Sequence, residues 1–240
     1  MRSKNLNMLI FFLFSLVMTL ALLAFCFLEV KLISPAGTNA SASPTVTVVL
    51  DAGHGGEDGG AVSGKIYEKD LNLDITKAVG AYLSQNGINV VYTRTEDVLL
   101  YDRNVNYKGR KKILDLAARL RIARQTENAV FVSIHMNSFP NEKYKGLQVY
   151  YSKNDKNSKI MAQTIQNKAR NILQPSNDRK PKEATSAIYL LDRLEKPAVL
   201  IECGFLSNPE DRALLSTPEY RQKVSLMIAE SLAQYLHETS

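Results

Sequence analysis

The sequence predicts an α/β fold: one domain on a mostly parallel, doubly wound sheet flanked by helices, with an N-terminal membrane-spanning signal or anchor. Three observations carry it. Apolar or β-branched runs of strand length lie at residues 46–50, 88–92, 129–134 and 197–201. Stretches with helical period lie between and after them, an alternation that favours parallel pairing and places ligands outside the carboxyl ends of the strands. Ahead of all this, residues 8–28 are apolar apart from Ser15 and Thr19 and follow Arg2 and Lys4, which suits a bilayer span.

Composition narrows the class. With 240 residues, 45% of them hydrophobic, the chain can bury one good core. The net charge of +6 is mildly basic, compatible with an anionic envelope polymer and too weak to argue for nucleic acid. Positive charge at the amino end puts the remainder outside the cytoplasm. The chain is therefore expected to be exported, either held by an uncleaved anchor or cut at the small-residue sites 34–36 or 40–42. Lipid attachment at Cys26 is disfavoured by Phe25, where a lipobox needs a small residue. Cys203 is the second of only two cysteines and has no partner in the folded domain, so disulfides do not hold it together. The expected divisions are a signal or anchor at 1–33, a small, polar, proline-bounded linker at 34–44, and the folded domain at 45–240.

Taken in order, the strand at 46–50 ends at Asp51 and opens into a glycine-rich loop that presents His54. A phosphate loop would carry Lys-Ser/Thr at a helix entry, or pass directly into a helix. This loop runs on, and it holds Glu57, Asp58 and Glu68, which suit a cation better. Asp70 is placed to cap a helix with the stripe Leu71, Ile75, Val79 and Leu83, stopped by Gly87. After the strand at 88–92, residues 93–112 lack a period and read as a mobile surface excursion, with Lys108, Arg110, Lys111 and Lys112 as a solvated basic run. Residues 113–125 return to helical spacing, and the strand at 129–134 ends at His135. An edge strand is expected at 146–151, a helix at 157–173, a basic turn at 177–182 and a short strand at 188–191. The strand at 197–201 ends at Glu202, where a polar turn begins, and Thr217-Pro218 opens a final helix bearing Val224, Ile228, Leu232 and Leu236.

His54, His135 and Glu202 thus fall at or beyond strand ends. Two histidines and a carboxylate form a common catalytic zinc set with the fourth position left to water, and His54, Glu68 and His135 are assigned to it. Glu202, with one side against apolar core, would have its pKa raised toward the range of a proton shuttle, which suits amide hydrolysis. Taken singly, a histidine at a strand end is more often a hydrogen-bonded structural residue than a ligand, and Glu68 a surface acid or cap; two of the three histidines at strand ends shift the balance toward a metal site. His237 reads as solvated and Cys203 as core. Asn137 and Ser138 suit either substrate positioning or turn chemistry.

These residues resemble the zinc-dependent N-acetylmuramoyl-L-alanine amidases of the amidase-3 family. The likeness covers essentially all of 46–236 and rests on LDAGHGGEDGGA with His54, YEKDLNL with Glu68, LAARLRIAR leading into FVSIHMNS with His135, GLQVYY from Gly146, and PAVLIECGFLSNPED with Glu202. It implies one zinc held by His54, Glu68 and His135, catalysis by Glu202, and cleavage of the amide between N-acetylmuramic acid and L-alanine in peptidoglycan. The single anchored domain, the excursion before Ile113 and the segment AIYLLDRLEKPAVLIE are most similar to the germination-specific CwlD type. That type removes stem peptides so that muramic-δ-lactam can form in spore cortex, which implies work in the space around the forespore. Arg124 and Cys203 depart from the family pattern, bearing on substrate preference rather than chemistry. Partners implied are glycan strands, stem peptides and the membrane, with room for an accessory or activating protein. Two other classes compete: a tethered peptidoglycan-binding protein, disfavoured by the presence of Glu202, and a zinc exopeptidase, for which no peptide-terminus pocket is evident.

Overall fold

The computed structural model describes residues 13, 15–20, 46–102, 104 and 109–239. The chain divides into two units, Met1–Ser43 and Pro44–Ser240. In the first, residues 13 and 15–20 are helical and exposed. The expected span at 8–28 falls largely outside the described residues, as do the linker at 34–44 and its cleavage sites. Among the described residues no helix is long and apolar enough to cross a membrane.

The second unit runs β1 (Thr47–Ala52), β2 (Val62–Ser63), β3 (Ile66–Tyr67), α1 (Glu68–Gln85), β4 (Asn89–Tyr92), α2 (Lys111–Gln125), β5 (Ala129–Asn137), β6 (Gln148–Tyr151), α3 (Lys156–Ile172), β7 (Lys182–Glu183), α4 (Tyr189–Arg193), β8 (Ala198–Phe205), α5 (Pro209–Leu215) and α6 (Pro218–Thr239). Six strands form one sheet in the order β4-β1-β5-β8-β6-β7, and β2 and β3 form a small ribbon. The β4, β1, β5 and β8 pairings are parallel, as is β6 with β7, whereas β6 runs antiparallel to β8.

Period-two alternation sends successive side chains of β1 to opposite faces. Val48 and Leu50 join Ile75, Val79, Ile134, Ile165, Ile228 and Leu232 in a core shared with α1, α3 and α6. Val49 joins Leu120, Phe131, Leu191 and Leu200 in the core shared with α2 and α4. Helices on both faces make the sheet doubly wound and bring the ends of β1, β5 and β8 to one edge.

Several expectations change in detail. Residues 188–191 are not a strand: Tyr189–Arg193 form the short helix α4, which buries Leu190 and Leu191, and Leu194 just beyond it is buried too. Asp70 is not the cap of α1. The helix starts at Glu68 with Tyr67 in the cap position and no side-chain cap bond, leaving Asp70 in the first turn, where an acid suits the helix dipole. No polar turn begins at Glu202, because β8 continues to Phe205. The segment after β4 is no simple excursion, since Thr93, Arg94 and Leu99 are buried. Gly87 does stop α1 in the left-handed region, with φ of 74°.

Candidate active site

The strand register assembles the site. β1 and β5 pair through Ala52 and Ile134, so the chain after β1 emerges beside His135. In the next pairing His135 stands directly opposite Glu202, after which the β5–β8 register shifts. His54 follows in the loop with φ of 61°, a left-handed conformation that costs a non-glycine residue about 1 kcal/mol or more. The β2–β3 ribbon returns the chain, and Glu68 at the head of α1 donates its N–H to the Ala61 carbonyl at 2.9 Å.

Glu68 is the hub. Its Oε1 lies 3.2 Å from His54 Nε2 and 2.9 Å from His135 Nδ1. The same oxygen accepts the Met136 N–H at 3.1 Å and an Asn72 amide hydrogen at 3.3 Å, while Oε2 accepts the Ala61 N–H at 2.7 Å. Burial would push this carboxyl up, but the two imidazoles overcome it and hold the acid well below its usual range. Burial likewise lowers His54, and hydrogen bonds to Asp58 and Glu68 outweigh it, raising the imidazole to about 9. Asp58 meets His54 Nδ1 at 2.9 Å and is itself lowered to about 2, chiefly by that contact.

The donor set fits a metal ion. Atoms of His54, Glu68 and His135 lie within 4.8 Å of one another. Donors about 2.1 Å from a tetrahedral centre stand roughly 3.4 Å apart, close to the separations from Glu68 to the two rings. The surrounding backbone is bare where it must be. A Cβ at Gly60 would fall 2.5 Å from Glu68 Oε2, and φ there is 67°. Glu202 completes the group. Its Oε2 is buried without a hydrogen-bond partner, and burial, with the Glu68 charge adding to it, raises the carboxyl to about 7 against the pull of the histidines.

A cavity of about 250 Å³ holds His54, His135 and Glu202, with Leu116, Ile188 and Leu200 among its apolar walls. A larger cleft of about 590 Å³ near Lys143, Gln174 and Tyr220 contains none of the four residues, so convergence of donors rather than size identifies the site. Asn137 and Ser138 do not line the smaller cavity. The Asn137 carbonyl accepts the Leu206 N–H at 2.8 Å, and Ser138 is exposed beyond the end of β5. His237 lies exposed near the end of α6 and Cys203 is buried.

Sequence reasoning missed the supports. Asn72, one turn along α1 from Glu68, also donates to the Gly53 carbonyl at 3.1 Å. Arg94 donates to the carbonyls of Ala52 and Gly53 at 2.9 and 3.0 Å. Arg119, 1% exposed, is ion-paired to Asp51 and Asp115, each at 2.7 Å. A signal existed for it: Arg119 sits three residues after Leu116 and four before Ala123, a charge on the apolar stripe of α2.

Comparison with known proteins agrees with this geometry. Residues 48–234 match the family described as N-acetylmuramoyl-L-alanine amidase. The chain is 38% identical over 192 residues to the germination-specific N-acetylmuramoyl-L-alanine amidase of Bacillus subtilis, covering 80% of each. The CwlD amidase of Clostridioides difficile, solved in complex with the GerS lipoprotein, superposes with a TM-score of 0.77 at 37% identity, over 80% of this chain and 99% of that one. The catalytic domain of CwlV from Bacillus (Paenibacillus) polymyxa gives 0.67 at 30% identity, over 80% and 99%. By this match, and by the site it encloses, the chain belongs to the N-acetylmuramoyl-L-alanine amidase family.

Proposed function

We propose that the protein hydrolyses the N-acetylmuramoyl–L-alanine amide of peptidoglycan with one zinc ion held by His54, Glu68 and His135. The observation that carries this is the meeting of three donors from three segments, with Glu202 opposite His135 in the β5–β8 ladder. Bound there, zinc supplies Lewis acidity that polarises the scissile carbonyl and acidifies water. Glu202 accepts a proton from the attacking water and passes it to the amide nitrogen as the C–N bond breaks. The products are a lactyl carboxylate and a free L-alanine amine. A carboxyl poised near 7 is suited to both transfers. The buried contacts on Glu68 keep its charge and orientation fixed throughout. Asn137 and Ser138 are assigned a role in substrate positioning from the sequence pattern alone.

Likeness to the B. subtilis germination-specific amidase supports work in the spore cortex, where stem-peptide removal frees the lactyl carboxyl that muramic-δ-lactam formation needs. Likeness to the C. difficile amidase, solved with a lipoprotein, supports an accessory protein. The apolar stretch at 8–28 supports attachment to the membrane or export through it.

The test uses the full-length chain with zinc on purified peptidoglycan, followed by mass spectrometry, with Glu202→Gln as control. Stem peptides with a free L-alanine amine should appear with the wild type and not with the control. Release of fragments cut at a bond other than the muramoyl–L-alanine amide would overturn the amidase assignment.

A further inference from the structure

His54 occupies a left-handed backbone conformation, and two guanidinium groups grip the three carbonyls that lead through it. Arg94 takes those of Ala52 and Gly53. Arg119 takes Ala52 again through Nη1, at 2.6 Å, and reaches the carbonyl of His54 itself through Nη2, also at 2.6 Å. Arg119 is in turn fixed from two sides. Asp115, one turn back on α2, accepts from Nε, and Asp51 on β1 accepts from Nη1. Asp51 is held by the hydroxyls of Thr93 and Ser133, each at 2.6 Å. The planar fork is thus clamped before it touches the loop. A charge-assisted bond to the His54 carbonyl restrains the peptide plane after His54, and therefore the direction in which the imidazole leaves the chain.

We propose that Arg119 is a positioning residue for the metal: it holds His54 in its left-handed conformation and so aims the imidazole at Glu68 and His135. This rests on the metal reading of those three residues. The usual outer support of a ligating histidine approaches its ring, as Asp58 does here, 2.9 Å from Nδ1. Arg119 acts instead on the backbone, from a different element of the fold. Lysine in its place keeps the charge and loses the fork, so it cannot serve Asp51, Asp115 and two carbonyls at once.

The experiment compares full-length wild type, Arg119→Lys and Arg94→Lys for zinc affinity, by competition with a chelator, and for the visible absorption of the cobalt-substituted protein. Circular dichroism and melting of the metal-free proteins accompany each. Arg119→Lys should melt cooperatively when metal-free yet bind zinc about 10- to 100-fold more weakly, with an altered cobalt spectrum. Arg94→Lys, which does not touch the His54 carbonyl, should lose less. Zinc affinity of Arg119→Lys within twofold of wild type, with an unchanged cobalt spectrum, would overturn the proposal. If Arg119→Lys does not fold, Asp115→Asn loosens the same clamp from behind. It should weaken zinc binding, and an unchanged affinity there overturns the proposal equally. Wild type that takes no zinc would instead overturn the metal reading itself, so the two failures are distinct.

Discussion

The His135 ring lies against the bare backbone of Gly53: a Cβ built on that glycine falls 2.2 Å from Cε1 of His135 and 2.3 Å from Nε2. The smallest side chain there must displace the ring. Gly53→Ala is expected to leave the sheet folded while lowering zinc affinity at least tenfold. Equilibrium dialysis of the folded variant checks this, and wild-type affinity would contradict it.

Glu202→Gln is expected to lower kcat by roughly 10²- to 10⁴-fold with zinc content unchanged, the range associated with loss of a proton-transfer group. Its effect on stability has the opposite sign. A carboxyl raised from 4.5 to about 7 in the folded chain works against folding as pH climbs above 4.5, fully so beyond about 7. Metal-free Glu202→Gln should therefore melt higher than metal-free wild type at pH 8 and show little difference at pH 4. A lower melting temperature at pH 8 would contradict the reading.

His54 gives a second pH dependence. Its imidazole is raised from 6.5 to about 9 in the metal-free chain, so its contribution is complete below about 6.5 and disappears as pH rises through 9. Melting in chelator should fall across that window. With saturating zinc the decline should flatten, because the ring no longer exchanges a proton over the range. Parallel melting curves with and without zinc would show that His54 is not a ligand.

Cys203 is 1% exposed on β8, and burial pushes its thiol well up, with the charges of Glu202 and Glu68 adding to the effect. It should resist an aromatic disulfide reagent at pH 8 in the folded chain and react fully in denaturant. Rapid labelling of Cys203 in native protein, read apart from Cys26 by peptide mass, would show that this end of β8 opens.

What was legible in the sequence was what repeats. The strands at 46–50 and 129–134 announce themselves by composition and length, though β1 runs on to Ala52 and β5 past His135 to Asn137, and residues near their carboxyl ends converge because parallel strands bring those ends to one edge. Three of the expected site residues, His54, Glu68 and His135, meet within hydrogen-bond reach, and Glu202 joins them. Ile188–Leu191 was not legible, since four apolar residues carry no period to separate a strand from one turn of helix. Nor was β7, whose Lys182 and Glu183 are defined only by the neighbour they pair with. Arg119 was not singled out, although it lies on the apolar stripe of α2, because nothing in the sequence names its partners. Those partners, Asp51 and Asp115, come from different elements and meet it only after folding.

β7 also has a consequence for self-association. An outer strand with free amide and carbonyl groups is a template for adding another chain. Here the outermost position beyond β6 is filled by two exposed residues of opposite charge, and Ala184 returns its N–H to the Tyr151 carbonyl before the chain turns away. So short and charged a border offers little for a foreign strand to align with, which protects this flank against aggregation without a covering helix.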